Sequence, residues 1–133
     1  MAGYSGTPLV KKIGIKPGHV VRFRNPPACF RGELGELPGG AREARITGPL
    51  DVAVLFAKSR AQLEKEFAPL AAQVASNGML WVGWPKKASG VATDLHENMV
   101  REIGLGLGMV DVKVCAIDDT WSGLKFVYRL KDR

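Results

Sequence analysis

Apolar residues fall along this chain in two patterns. DVAVLFA (51–57) and MLWVGW (79–84) are continuous apolar runs of strand length, the mark of strands buried on both faces in a parallel sheet. Between them Leu63, Phe67, Leu70 and Val74 recur at spacings of four, three and four, which puts them on one stripe of a helix. Ser59 followed by Gln62 is a capping-box start for that helix. Pro69 is expected to kink or split it, because proline removes a hydrogen bond and crowds the preceding turn, and Asn77-Gly78 is expected to end it. A second helix is predicted to open at Thr93-Asp94, with Asp94 and Glu97 as its capping box. Leu95, Met99, Ile103 and Leu107 give its buried stripe, and Gly108 suits its C-terminal cap. VDVKVCAI (110–117) and LKFVYRL (124–130) alternate around the six-residue connection DDTWSG, which predicts an antiparallel hairpin.

The first third of the chain is more broken. Thr7-Pro8 reads as the cap and first position of a short helix, and Lys16-Pro17-Gly18 as a turn. A first strand is predicted over 19–23, closed by Asn25-Pro26-Pro27. A short helix follows over 27–34, then a weak second strand over 43–46. Strands separated by amphipathic helices imply parallel pairing through right-handed crossovers. The fold class expected is α/β: a three-layer Rossmann-like sandwich on a mixed six-stranded sheet, mostly parallel, with a C-terminal antiparallel hairpin. At 133 residues, residues 1–133 fit a single domain.

Composition narrows the function classes. Hydrophobic residues make up 46% and charged residues 24%, an ordinary globular balance. No apolar run approaches the ~20 residues of a membrane span, so no membrane partner is expected. MAGYSGTPLVKK lacks the apolar stretch of a signal peptide, which makes a cytoplasmic location the default. Cys29, Cys115, His19 and His96 have no metal-ligand spacing. They are expected to be two inert free thiols, with Cys29 buried, and two surface imidazoles. No metal site is predicted. Of the net charge of +6, the whole excess lies in residues 1–31, where Lys11, Lys12, Lys16, Arg22, Arg24 and Arg31 face no acid in sequence. Such a run can be a footprint for a polyanion. It lacks the aromatic interleaving that supports base stacking and any helix-turn-helix or zinc-finger pattern. It reads as a solvated basic face, with nucleic-acid affinity weak and independent of sequence.

From Asp51 onward the order DVAVLFA, helix, MLWVGWPK, helix, hairpin resembles the second half of a class I methyltransferase. That family cradles S-adenosylmethionine with a glycine-rich turn after the first strand and holds the ribose with an acidic residue ending the second. Here the turn is RFRNPP (22–27), without glycine, and Ile46-Thr47 stand where the acid is expected. GLGLG (104–108) ends a helix and reads as its frayed end, whereas a dinucleotide fingerprint must follow a strand and open a helix. The expectation is therefore no cofactor, and no use of S-adenosylmethionine in particular. The chain as a whole also resembles a family of short bacterial proteins of unknown function. YSGTPLVKKIGIKPG (4–18), GPLDVAVLF (48–56), WPKKASGVATDL (84–95) and DDTWSGLKFVYR (118–129) carry that resemblance. It implies the architecture above and no activity.

Ligands of open α/β sheets bind beyond the carboxyl ends of the strands. The segment there with most chemistry is WPKKASGVATDLHE (84–97). Asn25, Lys58, Ser59, Trp84, Lys86, Lys87, Ser89, Thr93, Asp94 and Trp121 are the expected ligand-binding residues. The lysines would supply positive potential, helix N-termini would supply N–H donors, and the tryptophans a stacking surface. The expected partner is a small anionic ligand, with a homo-oligomer also open. No catalytic residue is assigned; the capping role of Asp94 accounts for it. The leading functional reading is a non-enzymatic or regulatory methyltransferase-like domain that binds a small anion or a protein partner in this crevice. The alternatives are an enzyme of unrecognised mechanism centred on residues 84–94, and a nucleic-acid binder through the basic N-terminal quarter.

Overall fold

The computed structural model describes residues 7–44 and 48–133. Its strands are β1 (Val20–Arg24), β2 (Arg42–Glu43), β3 (Leu50–Phe56), β4 (Val74–Pro85), β5 (Met109–Ala116) and β6 (Trp121–Tyr128). Its α-helices are α1 (Leu9–Ile13), α2 (Phe30–Leu34), α3 (Arg60–Ala71) and α4 (Glu97–Gly106). The strands form one sheet in the order β2-β1-β3-β4-β6-β5. β2, β1, β3 and β4 run parallel, while β6 is antiparallel to both β4 and β5. The expected mixed six-stranded α/β sheet is the observed one. No helix among the described residues is long and apolar enough to cross a membrane.

Two apolar layers sandwich the sheet, because β3 and β4 are apolar on both faces. Ala53, Leu55, Leu80, Val82 and Phe126 pack against Leu63, Phe67 and Leu70 of α3 and Val100 and Ile103 of α4. On the other face Val52, Val54, Phe56 and Trp81 pack against Leu9 and Ile13 of α1 and Phe30 and Leu34 of α2. The fully buried Trp81 donates its Nε1–H to the carbonyl of Ile13 at 2.8 Å. That bond satisfies a group that would be costly to bury alone and fixes the end of α1 on the sheet.

Several element boundaries differ from expectation. Pro8, not Thr7, is the N-cap of α1. α3 starts as predicted, with Ser59 Oγ accepting from the Gln62 N–H at 3.1 Å. It runs on without splitting to Ala71, with Ala72 as its C-cap and Pro69 in its last turn. Asn77-Gly78 therefore does not end a helix. It lies inside β4, where the register to β3 jumps between the Leu50–Val74 and Val52–Met79 pairs. A Cβ at Gly78 would stand 2.8 Å from the Leu50 carbonyl oxygen, so only glycine passes that close to β3.

α4 opens later than predicted. Its N-cap is His96, whose Nδ1 accepts the Met99 N–H at 3.3 Å. Asp94 instead accepts the Arg60 N–H of α3 at 2.8 Å. The buried stripe of α4 turns accordingly to Val100, Ile103 and Gly104, and Leu107 is exposed. The hairpin turn is also tighter than six residues, because Trp121, Ser122 and Gly123 already pair with β4.

Candidate functional site

From β1 the chain returns on one side to β2, and β3 passes to β4 on the other. The carboxyl ends of β1 and β3 therefore flank a topological switch point, where open α/β sheets leave a crevice. A cavity of about 360 Å³ opens there, lined by Asn25, Pro26, Pro27, Phe56, Lys58, Gln62 and Trp121. Asn25 ends β1 in the left-handed region, at φ 56°, the one non-glycine residue to do so among those described. Asparagine tolerates that conformation better than other side-chain-bearing residues. Its amide donates to the Phe56 carbonyl at 3.3 Å and to Glu66 Oε2 at 2.9 Å, which ties the turn after β1 to β3 and α3.

The hairpin turn reaches the same edge, since the register pairs Pro85 with Trp121. Asp118 is buried and shapes this turn, its Oδ1 accepting the N–H groups of Thr120 and Trp121 at 2.8 and 2.7 Å. The Trp121 ring stands edge-on to Phe56 at 5.2 Å, and Phe56 edge-on to Phe30 at 4.8 Å. Phe56 and Trp121 thus form the floor of the crevice, backed by the buried Phe30.

Residues 84–97 bound a second cavity of about 510 Å³, lined by Trp84, Pro85, Lys86, Lys87, Thr93, Asp94, Leu95, His96, Glu97 and Ser122. Thr93 Oγ1 donates to the Lys58 carbonyl at 2.7 Å and so links the two cavities through their loops. Of the ten residues expected to bind ligand, Asn25, Lys58 and Trp121 line the first cavity. Trp84, Lys86, Lys87, Thr93 and Asp94 line the second. Ser59 caps α3, and Ser89 Oγ donates to the Lys86 carbonyl at 2.6 Å; both bond to backbone and line neither cavity.

Sequence reasoning missed Phe56, Gln62, His96 and Ser122 as lining residues. It had assigned Phe56 to a strand, Gln62 to a cap and His96 to a surface. It also missed that Cys29, Glu33 and Asp118 meet, their sulfur and carboxylate atoms all within 4.8 Å of one another. Cys29 is exposed, not buried. Partial desolvation of the sulfur and then the neighbouring Glu33 carboxyl raise its thiol pKa, although Cys29 is the N-cap of α2. Glu33 is raised as well, by desolvation first and then by its hydrogen bond to Asp118 and that carboxylate's charge.

The second strand also departs from expectation. β2 is Arg42–Glu43, so the described strand ends on an acid. Glu43 pairs with Arg31 at 2.5 Å beside a groove of about 520 Å³. Ile46-Thr47 lie outside the described residues. The basic N-terminal quarter does not gather on one partner. Arg22 donates to Gln73, Arg24 pairs with Glu66, Arg31 with Glu43, and Lys12 donates to the Ala116 carbonyl.

No family model matches the chain, and no curated protein matches it. Solved structures do. Magnesium protoporphyrin IX methyltransferase from Synechocystis PCC 6803 with bound S-adenosylmethionine superposes with a TM-score of 0.60 at 13% identity, over 91% of this chain and 74% of that one. Fibrillarin from Aeropyrum pernix, also with S-adenosylmethionine bound, gives 0.60 at 9% identity over 90% and 73%. A methyltransferase dependent on that cofactor from Aquifex aeolicus gives 0.57 at 12% over 89% and 86%. Likeness at such identity establishes the fold. It covers nearly the whole chain, including the first third, where the sequence alone suggested a lost cofactor turn. The expectation of a non-enzymatic or regulatory domain is corrected on this finding: the solved structures that match about nine-tenths of the chain include methyltransferases, and two of these three hold S-adenosylmethionine.

Proposed function

We propose that this chain is a methyltransferase-type enzyme that takes S-adenosylmethionine in the switch-point crevice between β1 and β3. The observation that carries this reading is Asn25. It supplies the left-handed bend after β1 that a glycine would otherwise supply, and the crevice opens on that bend. The missing glycine is thus replaced in conformation, though not in hydrogen bonding, because Pro26 and Pro27 offer no N–H donor. Side chains must do the holding.

The residues present fit such a ligand. A cavity of about 360 Å³ falls within the ~300–1,000 Å³ range of small-molecule sites. Trp121, backed by the buried Phe56, gives the cavity an aromatic wall against which a nucleobase or a sulfonium cation can rest. Lys58 is exposed at the rim, where it can meet a carboxylate. The Gln62 amide makes one bond inward, its Oε1 accepting the Lys58 N–H at 3.0 Å, which leaves its N–H₂ group to donate to a ligand. The cofactor would supply an electrophilic methyl group at this edge.

Isothermal titration with S-adenosylmethionine tests the reading. Micromolar affinity is expected, weakened about tenfold in Lys58→Ala, which removes roughly the 1.4 kcal/mol that a factor of ten represents. No binding up to millimolar cofactor would overturn it.

A further inference from the structure

We infer that the second cavity is the acceptor subsite of this enzyme and takes a small acidic molecule, one carrying a phosphate or carboxylate group. Its role as an acceptor subsite rests on the methyltransferase reading; its affinity for oxyanions does not. The WPKKASGVATDLHE segment, which cofactor binding leaves unused, supplies the argument.

The cavity presents donors, and each carboxylate beside them has one oxygen engaged outside the cavity. Lys86 and Lys87 line it, and neither forms an ion pair among the described residues. Two carboxylates line it too, but each has a partner elsewhere. Asp94 Oδ1 takes the Arg60 N–H at 2.8 Å, and Glu97 Oε2 pairs with Arg101 at 2.6 Å. His96 adds a donor by elimination. Its Nδ1 accepts the Met99 N–H, so the proton of the neutral ring sits on Nε2. Ser122 contributes a hydroxyl, and the buried Trp84 and Leu95 form an apolar wall. A few convergent polar groups on an apolar wall are how small-ligand sites are built.

The frame is held at both ends. Entering the loop, the Lys86 N–H donates to the Thr120 carbonyl at 2.7 Å. Ser89 then returns to the Lys86 carbonyl through both its N–H and its hydroxyl. Leaving it, Thr93 is anchored on Lys58. The lysines therefore project from fixed backbone, which limits the ordering cost of binding. The same Thr93 bond sets this cavity beside the cofactor crevice, where an acceptor must lie.

The test uses the full chain and the indole N–H resonances of Trp81, Trp84 and Trp121, assigned by single Trp→Phe variants. Inorganic phosphate and citrate are titrated in separate arms, and S-adenosylmethionine in a third. At least one oxyanion should shift the Trp84 resonance and leave Trp121 in place, while the cofactor should shift Trp121; the arm that responds identifies phosphate or carboxylate. The Lys86→Ala/Lys87→Ala variant should bind that oxyanion at least tenfold more weakly and keep cofactor affinity within twofold. A Lys65→Ala/Lys131→Ala control should bind the oxyanion like the parent chain. Trp84 silent to both oxyanions overturns the inference, as does equal loss in the control. If the double variant does not fold, the parent titration decides alone. An intact oxyanion response with no cofactor binding would overturn the methyltransferase reading and the acceptor role, and leave an oxyanion site.

Discussion

Gly104 shows how one residue sets a helix against a sheet. It lies in the GLGLG run, which reads in sequence as a frayed helix end; in the structure it is buried in α4. A Cβ there would stand 2.1 Å from Cε1 of Phe126. Phe126 cannot retreat, since it is fully buried and packs edge-on against Phe67 at 5.4 Å. Gly104→Ala should therefore cost about 1–3 kcal/mol, the range for overpacking a core, despite alanine's better helix propensity; urea denaturation would measure it. Nothing in the one-dimensional pattern marks this glycine apart from its neighbours, because the contact comes from a strand more than twenty residues away. Glu33 is a second case. Its carboxyl pKa is raised from 4.5 by desolvation and by Asp118. The folded state thus holds the proton more tightly than the unfolded one, so this contribution is complete below pH 4.5 and is lost as pH climbs through the folded value. Glu33→Gln keeps the uncharged shape. It should match the parent chain at pH 4 and melt higher than it at pH 7; a variant that melts lower at pH 7 would mean that the ionised carboxylate is the stabilising form.

At the scale of elements, the N-terminus of α3 is served from two directions. Ser59 caps it from within the chain, and Asp94 reaches it from the next crossover, thirty-four residues on. Each satisfies a different orphan N–H, and a carboxylate there also meets the positive end of the helix. Asp94→Ala should consequently destabilise by ~0.5–2 kcal/mol, the usual cost of losing a cap, although Asp94 is exposed. Amide exchange should quicken at Arg60 and stay unchanged at Met99; the reverse pattern would return Asp94 to α4. This long-range cap explains why the start of α4 was misread. Asp94 and Glu97 have capping-box spacing, and sequence cannot say which helix an aspartate serves. Ser59 with Gln62 was legible because cap and helix are contiguous. β4 was legible over 79–84 and not over 74–78, where the bulge around Gly78 breaks the apolar run while the backbone goes on pairing.

Across the whole molecule, the mixed sheet and the direction of its central strands were readable, because continuous apolar runs fix those strands and the crossover rules fix their direction; the switch point was not, since it depends on a strand order that only the fold supplies. The site was readable as an edge and not as two cavities. The division depends on Trp121 entering β6 earlier than its sequence neighbours suggest, and on Thr93 bridging to Lys58. The distribution of charge was likewise invisible in one dimension. Residues 1–31 hold six basic side chains and no acid, which suggests a polyanion surface. Folding disperses them. Arg22 donates to Gln73 and Arg24 pairs with Glu66, whereas Arg31, across a shared groove from Arg22, is paired with Glu43. Each ion pair cancels local field, and Arg24 and Arg31, paired with Glu66 and Glu43, are no longer free to neutralise phosphates. Association with duplex DNA should therefore be weak, no tighter than the ~10⁻⁴ to 10⁻⁶ M typical of non-specific contacts at physiological salt. With only a few phosphates neutralised at once, the slope of log K against log salt should be shallower than about −3. Fluorescence anisotropy with two unrelated duplexes over a salt series measures both quantities. Nanomolar affinity for one duplex over the other, or a slope near the −5 that six neutralised phosphates would give, would mean that the basic quarter acts as a single surface after all.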